Sequence, residues 1–377
     1  MTIVYVSGFT LMSNRGTPCH FARALAKFVP TIYINPPHSY ARWRSIKNYN
    51  FKNEPMISVI TPILPTTFRF IPRRMRLKLV STLATYQISQ ILKTLLSYPV
   101  ILWSDISELT LKLHKLVKPS LFCYHCLDDI SVWNPKNLHL QEALEVKADL
   151  IFADSLPLQQ RYFQRGRHAI LLRTGVNSIH FMQALNAATP IPDDLKVIPS
   201  PRIGYVGSIH AFRVDINLLV KLAKARPDWS IVLIGPIEKG LEIDRYLLPN
   251  LHFLGMRPYE DLPCYLKGLD VCLIPFLDTP AGRASNPLKL YEYLAAGRPV
   301  VSTPVPDLGE LRPFVEIARS VEEFIAAILK LLPSSRDIEA QRERATAAAQ
   351  HSWENRARAA LEVIKEALRS KGLSFSC

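Results

Sequence analysis

NPLKLYEYLAAGRPVV, residues 286–301, is the stretch on which the reading of this chain turns. Asn286 makes a good helix N-cap, and Pro287 suits the first helical position, where its missing N–H costs nothing. Leu288, Tyr291, Leu294 and Ala295 then recur at helical spacing, and Gly297 falls where a helix end favours a left-handed residue. An apolar run, Leu269–Phe276, precedes this helix, and Pro299–Thr303 follows it. The unit therefore reads strand, loop, helix, strand. A loop that leaves a parallel strand and enters a helix presents free backbone N–H groups and the positive end of the helix dipole, which suits a phosphate. Lys289 adds a cation in the first turn. Glu292, three residues on, brings an acceptor-only carboxylate to the same mouth, which suits a sugar diol. One short helix thus offers contacts for both halves of a nucleotide.

The motif resembles the donor-binding motif of the GT-B glycosyltransferases, in particular the retaining class grouped as family four. In that family the carboxylate at the Glu292 position grips the donor ribose, and the helix start (Asn286, Pro287, Leu288, Lys289) holds the diphosphate. The family usually carries a second glutamate eight residues earlier, where this chain has Ala284. A subgroup common in bacterial cell-surface polysaccharide synthesis reads Asn-Pro-x-Lys-x-Tyr-Glu, as here. The resemblance implies an α/β chain of GT-B architecture, with two Rossmann-like domains facing a cleft. The expected division is 1–178 for the acceptor side, 179–352 for the donor side, and 353–377 as a helix crossing back to the first domain.

The rest of the chain agrees with this class. Its 377 residues suit two domains of ordinary size, and 48% hydrophobic content is globular. Short apolar runs alternate with helical patterns, which argues for parallel α/β layers. Strands are expected near Thr2–Ser7, Thr31–Asn35, Ile57–Thr61, Val100–Trp103, Leu121–Cys126 and Leu150–Ala153. A second series lies at Ile203–Val206, Ser230–Ile234, Leu251–Leu254, Val271–Pro275 and Val300–Ser302. No apolar run approaches the roughly 20 residues a membrane span needs. The start MTIVYVSGF reads directly as a strand rather than a signal peptide, so a cytoplasmic location is expected. The six cysteines are too few and too scattered for a disulfide scaffold. Cys123 and Cys126 could form a redox pair or half a zinc site, but no second pair has zinc spacing. They read as reduced core cysteines, and no metal is expected.

Charge is uneven. The chain carries 46 Lys+Arg against 32 Asp+Glu, a net of +14. Residues 1–178 hold 22 against 9, a net of +13, and the remainder holds 24 against 23, a net of +1. The basic half points to a polyanionic or membrane partner. FRFIPRRMRLKL, residues 68–79, interleaves five basic residues with apolar ones and suits an anionic membrane surface. No nucleic-acid-binding motif is present.

Further site candidates follow from strand ends. In RIGYVGS, 202–208, Gly207 ends a strand and lets backbone approach a ligand. The resembled family has an arginine and a lysine on this loop. Here those positions are Ser208 and Val214, and Arg213 is the nearest substitute. VLIGP, 232–236, brings Gly235 to the same edge, and by resemblance the backbone at Leu254–Gly255 reads the base. In the first half, Gly16 of SNRGTPCHF enters a helix, on which His20 reads as a helix-face residue. LFCYHCLDDISVW, 121–133, delivers His125, Asp128 and Asp129 to a strand end as catalytic candidates. The expected function is sugar transfer from a nucleoside diphosphate sugar, a co-substrate rather than a cofactor, to a glycan or lipid-linked acceptor hydroxyl. Retention is implied by the resemblance. A GT-B sugar-nucleotide epimerase and a non-enzymatic binder of nucleotide sugars or nucleic acid are the alternatives.

Overall fold

The computed structural model describes residues 1–11, 16–39, 56–64, 73–133, 135–242 and 246–373. Two compact units emerge. The first is drawn from Met1–Asp154, Leu158–Leu172 and the chain from Trp353 onward; the second from Ser155–Pro157 and Arg173–Ser352. The chain thus passes into the second unit at Arg173 rather than after residue 178. Ser155–Pro157 join that unit because Ser155 Oγ donates to the Ala284 carbonyl and Leu156 N to Asp307 Oδ2.

The strands of the first unit are β1 (Thr2–Val6), β2 (Thr31–Ile34), β3 (His38–Ser39), β4 (Ile57–Ile60), β5 (Ile63–Leu64), β6 (Val100–Ser104), β7 (Leu121–Cys126), β8 (Leu150–Ala153) and β9 (Ile170–Leu171). Seven of them form one sheet in the order β4-β2-β1-β6-β7-β8-β9, and β3 pairs with β5. Every pairing is parallel. Helices cover both faces of such a sheet, so its strands are apolar almost throughout rather than alternating. TIVYV and VILWS are buried at every position. Register sets Tyr5 beside Tyr33 and Trp103, and these rings stack at 5.3 and 6.3 Å. Cys123 and Cys126 are free and buried. An odd separation along a strand sends them to opposite faces of β7, so they cannot pair.

The second unit contains β10 (Arg202–Val206), β11 (Ser230–Ile234), β12 (Leu251–Gly255), β13 (Val271–Ile274), β14 (Val300–Ser302) and β15 (Val315–Ile317). They form a parallel sheet in the order β12-β11-β10-β13-β14-β15. The short strands β9 and β15 escaped the sequence reading because neither has a run long enough to show a period. In this sheet β10 leads outward to β11 and β12, while β13 on its other side leads to β14. The strand order therefore reverses between β10 and β13. In open α/β sheets ligands bind beyond the carboxyl ends of the strands at such a reversal.

The helix Trp353–Ser370 packs within the first unit against the helix Thr17–Leu25. Trp353 is 3% exposed and stacks on His20 at 5.8 Å. His20 is thus a buried packing residue. Trp353→Ala should cost about 3–5 kcal/mol, the usual loss for a buried indole. Urea unfolding followed through the first unit checks it, and a loss below about 1 kcal/mol would show that the helix docks without this ring.

Candidate functional site

The helix Leu288–Ala295 follows β13 and starts beside the reversal point. Its N-cap residue is Pro287, and no side chain caps it. Asn286 does not play the capping role that local sequence suggests. Its amide oxygen accepts from Thr174 N at 3.1 Å and from Tyr291 Oη at 3.2 Å, and its Nδ2 donates to the Asp307 carbonyl at 2.7 Å. Distant backbone competed for the amide and won. The helix start is left with uncapped N–H donors. At the other end the cap forms as the sequence implies: Gly297 is left-handed, its N–H donates to Leu294 O, and Arg298 N donates to Tyr293 O.

Three glycines line the strand ends. Gly207 and Gly235 both have φ of 149°. A Cβ on Gly235 would sit 2.0 Å from the Gly207 carbonyl oxygen, and one on Gly207 would sit 2.8 Å from Lys289 Cε. Gly207 N donates to Ile234 O, and Gly235 N to Gly255 O. The backbone edges of β10, β11 and β12 are therefore close and bare of side chains. The β11–β12 register jumps from Leu233–Phe253 to Ile234–Gly255, so Leu254 is the extra residue of a bulge, outside the pairing. Bulges recur beside binding sites, where they re-aim the chain.

Lys289 Nζ lies over the rings of Tyr205 and Phe276 at 5.2 and 5.1 Å. Sequence reasoning passed over both aromatics, which look like ordinary core. A cation held between two rings is partly desolvated yet compensated. Burial pushes the Lys289 pKa down to about 8, with the Arg213 charge adding to the effect and Glu292 opposing it. Burial raises Glu292 to about 7, against the pull of Lys289. Arg213 stands on the loop after β10, its guanidinium 5.7 Å from the Phe212 ring centre. That loop crosses the end of β13 through Asp215 N to Pro275 O and Leu277 N to Arg213 O, both 2.8 Å. Gly207, Arg213, Gly235, Pro287, Leu288, Lys289 and Glu292 thus gather on the carboxyl edge of one sheet, with Leu254 and Gly255 further along it. The arrangement holds two cations and uncapped amides for an anion, and one carboxylate for hydroxyl groups.

The candidates of the first unit fare differently. His125 lies within β7, enclosed by Phe21, Trp103 and Phe152 at 5.8, 5.5 and 6.4 Å. Burial pushes its pKa down to about 3. It is a neutral core ring, not a catalyst, because β7 is an interior strand covered on both faces. Asp129 accepts from Ser131 N and Oγ and pairs with Arg161 at 2.9 Å. Burial acts to raise its pKa, but the bonds from Ser131 and Arg161 outweigh that and hold it below the ordinary carboxylate value. It starts the turn Ile130–Trp133 and is occupied structurally. Asp128 Oδ1 accepts from Asp129 N at 3.0 Å. Gly16, with φ of 81°, precedes the helix Thr17–Leu25. Sequence reasoning also missed Asp105, at the end of β6 where the first sheet reverses between β1 and β6. It is 2% exposed, accepts from Ser7 Oγ and Gly8 N, and is raised by burial to about 7. Among the described residues no cluster of His, Cys, Asp or Glu could hold a metal ion.

Comparison with solved structures defines the class. Sucrose-phosphate synthase from Thermosynechococcus elongatus superposes with a TM-score of 0.70 at 16% identity, over 98% of this chain and 100% of that one. Anabaena HepE in complex with UDP superposes with a TM-score of 0.68 at 14% identity, over 97% and 100%. The chain has the GT-B fold. Residues 200–334, within the second unit, match the family described as Glycosyl transferases group 1. The chain is also similar to the putative teichuronic acid biosynthesis glycosyltransferase TuaH of Bacillus subtilis (strain 168), 29% identical over 159 residues. That match spans 40% of this chain and 40% of the relative's length.

A diphosphate bound at Lys289 would raise its pKa from about 8. Below that value lysine is protonated with or without ligand. Above it, binding must take up a proton, so affinity should fall by up to about tenfold per pH unit until the bound-state pKa is reached. Calorimetry of UDP at pH 7 and pH 9, in buffers of different ionisation heat, measures both effects. Equal affinity at the two values and no proton uptake would remove Lys289 from the anion.

Proposed function

We propose that this protein is a glycosyltransferase that moves a sugar from a nucleoside diphosphate sugar to an acceptor hydroxyl, with retention at the anomeric carbon. The observation that carries this reading is the uncapped start of Leu288–Ala295, with Lys289 and Glu292, facing a bare glycine edge at the sheet reversal. The uncapped amides, Lys289 and Arg213 stabilise the diphosphate as its bond to the anomeric carbon breaks, so the leaving group needs no metal. Glu292 accepts from the ribose hydroxyls. The acceptor oxygen bonds to the anomeric carbon as the diphosphate departs with the bonding pair, and its proton passes to the departing diphosphate oxygen. We assign Asp128, on the loop at the carboxyl end of β7, to the acceptor side. UDP is the first donor base to test, because HepE neighbours were captured with UDP and UDP-glucose. The TuaH likeness favours a glycan or lipid-linked acceptor of the cell surface.

A thermal-shift panel of UDP, GDP, ADP and TDP tests the donor site. A ligand at about 100 times its dissociation constant should stabilise the protein by roughly 2.7 kcal/mol. Glu292→Ala should weaken the best of the four by about 1.5–3 kcal/mol, the worth of hydrogen bonds to a charged group, and leave the fold intact. Unchanged affinity would sink the assignment of the ribose.

We further propose that the first unit docks peripherally on an anionic membrane to meet its acceptor. The segment 68–72 and the side chains of Arg73, Arg74, Arg76 and Lys78 lie outside the described residues. On the helix Arg73–Leu95, Met75, Leu79 and Tyr86 fall on one face and are 60%, 43% and 63% exposed. Residues 42–118 hold 13 Lys+Arg and 3 Asp+Glu. No described helix is long and apolar enough to cross a membrane. Each basic residue near an anionic surface contributes about 1 kcal/mol, screened by salt. Sedimentation with anionic liposomes should therefore occur at low salt and fade at high salt. Equal pelleting with neutral vesicles, or none with either, would make the basic face a solubility feature.

A further inference from the structure

The sheet of the second unit opens between β10 and β13, and one tyrosine fills the opening. β10 pairs with β11 along its whole length, Arg202 through Val206, but with β13 only at Ile203 and Gly204. Gly207 N donates to Ile234 on the β11 side. In an extended strand successive residues turn their backbone polar groups to opposite neighbours, so Val206 turns its N–H and C=O toward β13. No strand partner is there. An unpaired backbone donor and acceptor at a buried position would be costly. Tyr293 Oη supplies both missing partners: it accepts from Val206 N at 2.7 Å and donates to Val206 O at 3.0 Å. Its side chain is fully buried.

Tyr293 stands on the same helix as the anion-binding groups, four residues after Lys289 and one after Glu292. Residues four apart share a helix face. Val206 immediately precedes Gly207, whose Cα faces Lys289 Cε. We propose that Tyr293 is a positioning residue of the nucleotide site: its hydroxyl keeps β10 and β13 apart at the reversal and sets Lys289 and Glu292 in register with the Gly207 turn. This rests on the nucleotide reading of that turn. A ladder continued to Val206 would close the crevice, and a phenylalanine at 293 would leave the strand end unheld.

Two measurements on Tyr293→Phe, which keeps the ring, test the assignment. Hydrogen exchange without nucleotide should show faster exchange of the Val206 amide, with Ser230–Ile234 of β11 unchanged. Unchanged exchange at Val206, or equal acceleration in β11, overturns the clamp. Calorimetry with UDP should show parental stoichiometry and an affinity lower by about tenfold, as expected for a misplaced pair of side chains. Parental affinity, whether with full or reduced stoichiometry, overturns the positioning role, since reduced stoichiometry alone reports only lost folded protein. If the parent protein binds none of UDP, GDP, ADP and TDP, the nucleotide reading fails, and the exchange comparison decides the clamp by itself.

Discussion

Parallel strands whose crossover connections run to opposite sides part at their carboxyl ends, and in the second unit this parting sits between β10 and β13. The rest of the candidate site depends on that gap. The loop after β10 and the helix after β13 meet across it, so side chains from separate parts of the chain converge there. The same gap strips Val206 of a strand partner and so requires the Tyr293 hydroxyl. A sheet paired to its end would have no room for a ligand and no need of that tyrosine.

The electrostatics of the edge follow first from burial and then from the charges set beside it. Lys289 sits between two rings, near Arg213, and loses part of its preference for the charged form. Glu292 is pushed the other way by burial. Opposite shifts on one helix turn bring both pKa values toward neutral pH. A diphosphate bound there would reverse the first shift. Desolvation thus shapes the two groups as much as formal charge does.

In the first unit the sheet reverses between β1 and β6, and Asp105 stands at that reversal rather than in the acidic loop after β7. Of the residues proposed there, His125 became core and Asp129 became a turn cap and ion-pair partner. Acids and histidines at strand ends serve structure as readily as chemistry. The choice is made by what packs over them, which a linear pattern does not contain.

Local signals were legible where the physics is local. The helix Leu288–Ala295, its C-terminal glycine cap, the parallel α/β alternation and the glycines ending β10 and β11 all follow from propensity, period and backbone freedom over a few residues. The two-unit organisation was legible from length and from two successive strand series. Where the first unit ends was not, because Ser155 and Leu156 are claimed by carbonyl and carboxylate groups more than a hundred residues away. Asn286 was misread for the same reason: its capping partners are adjacent in sequence, but Thr174 and Asp307 are adjacent in space. The sequence by itself determined the elements and the residue types available to a phosphate and a diol. Only the tertiary structure decided which of them share an edge, which are buried and shifted, and that the Tyr293 hydroxyl bonds the end of β10, because burial and long-range hydrogen bonding exist only once the sheet has formed.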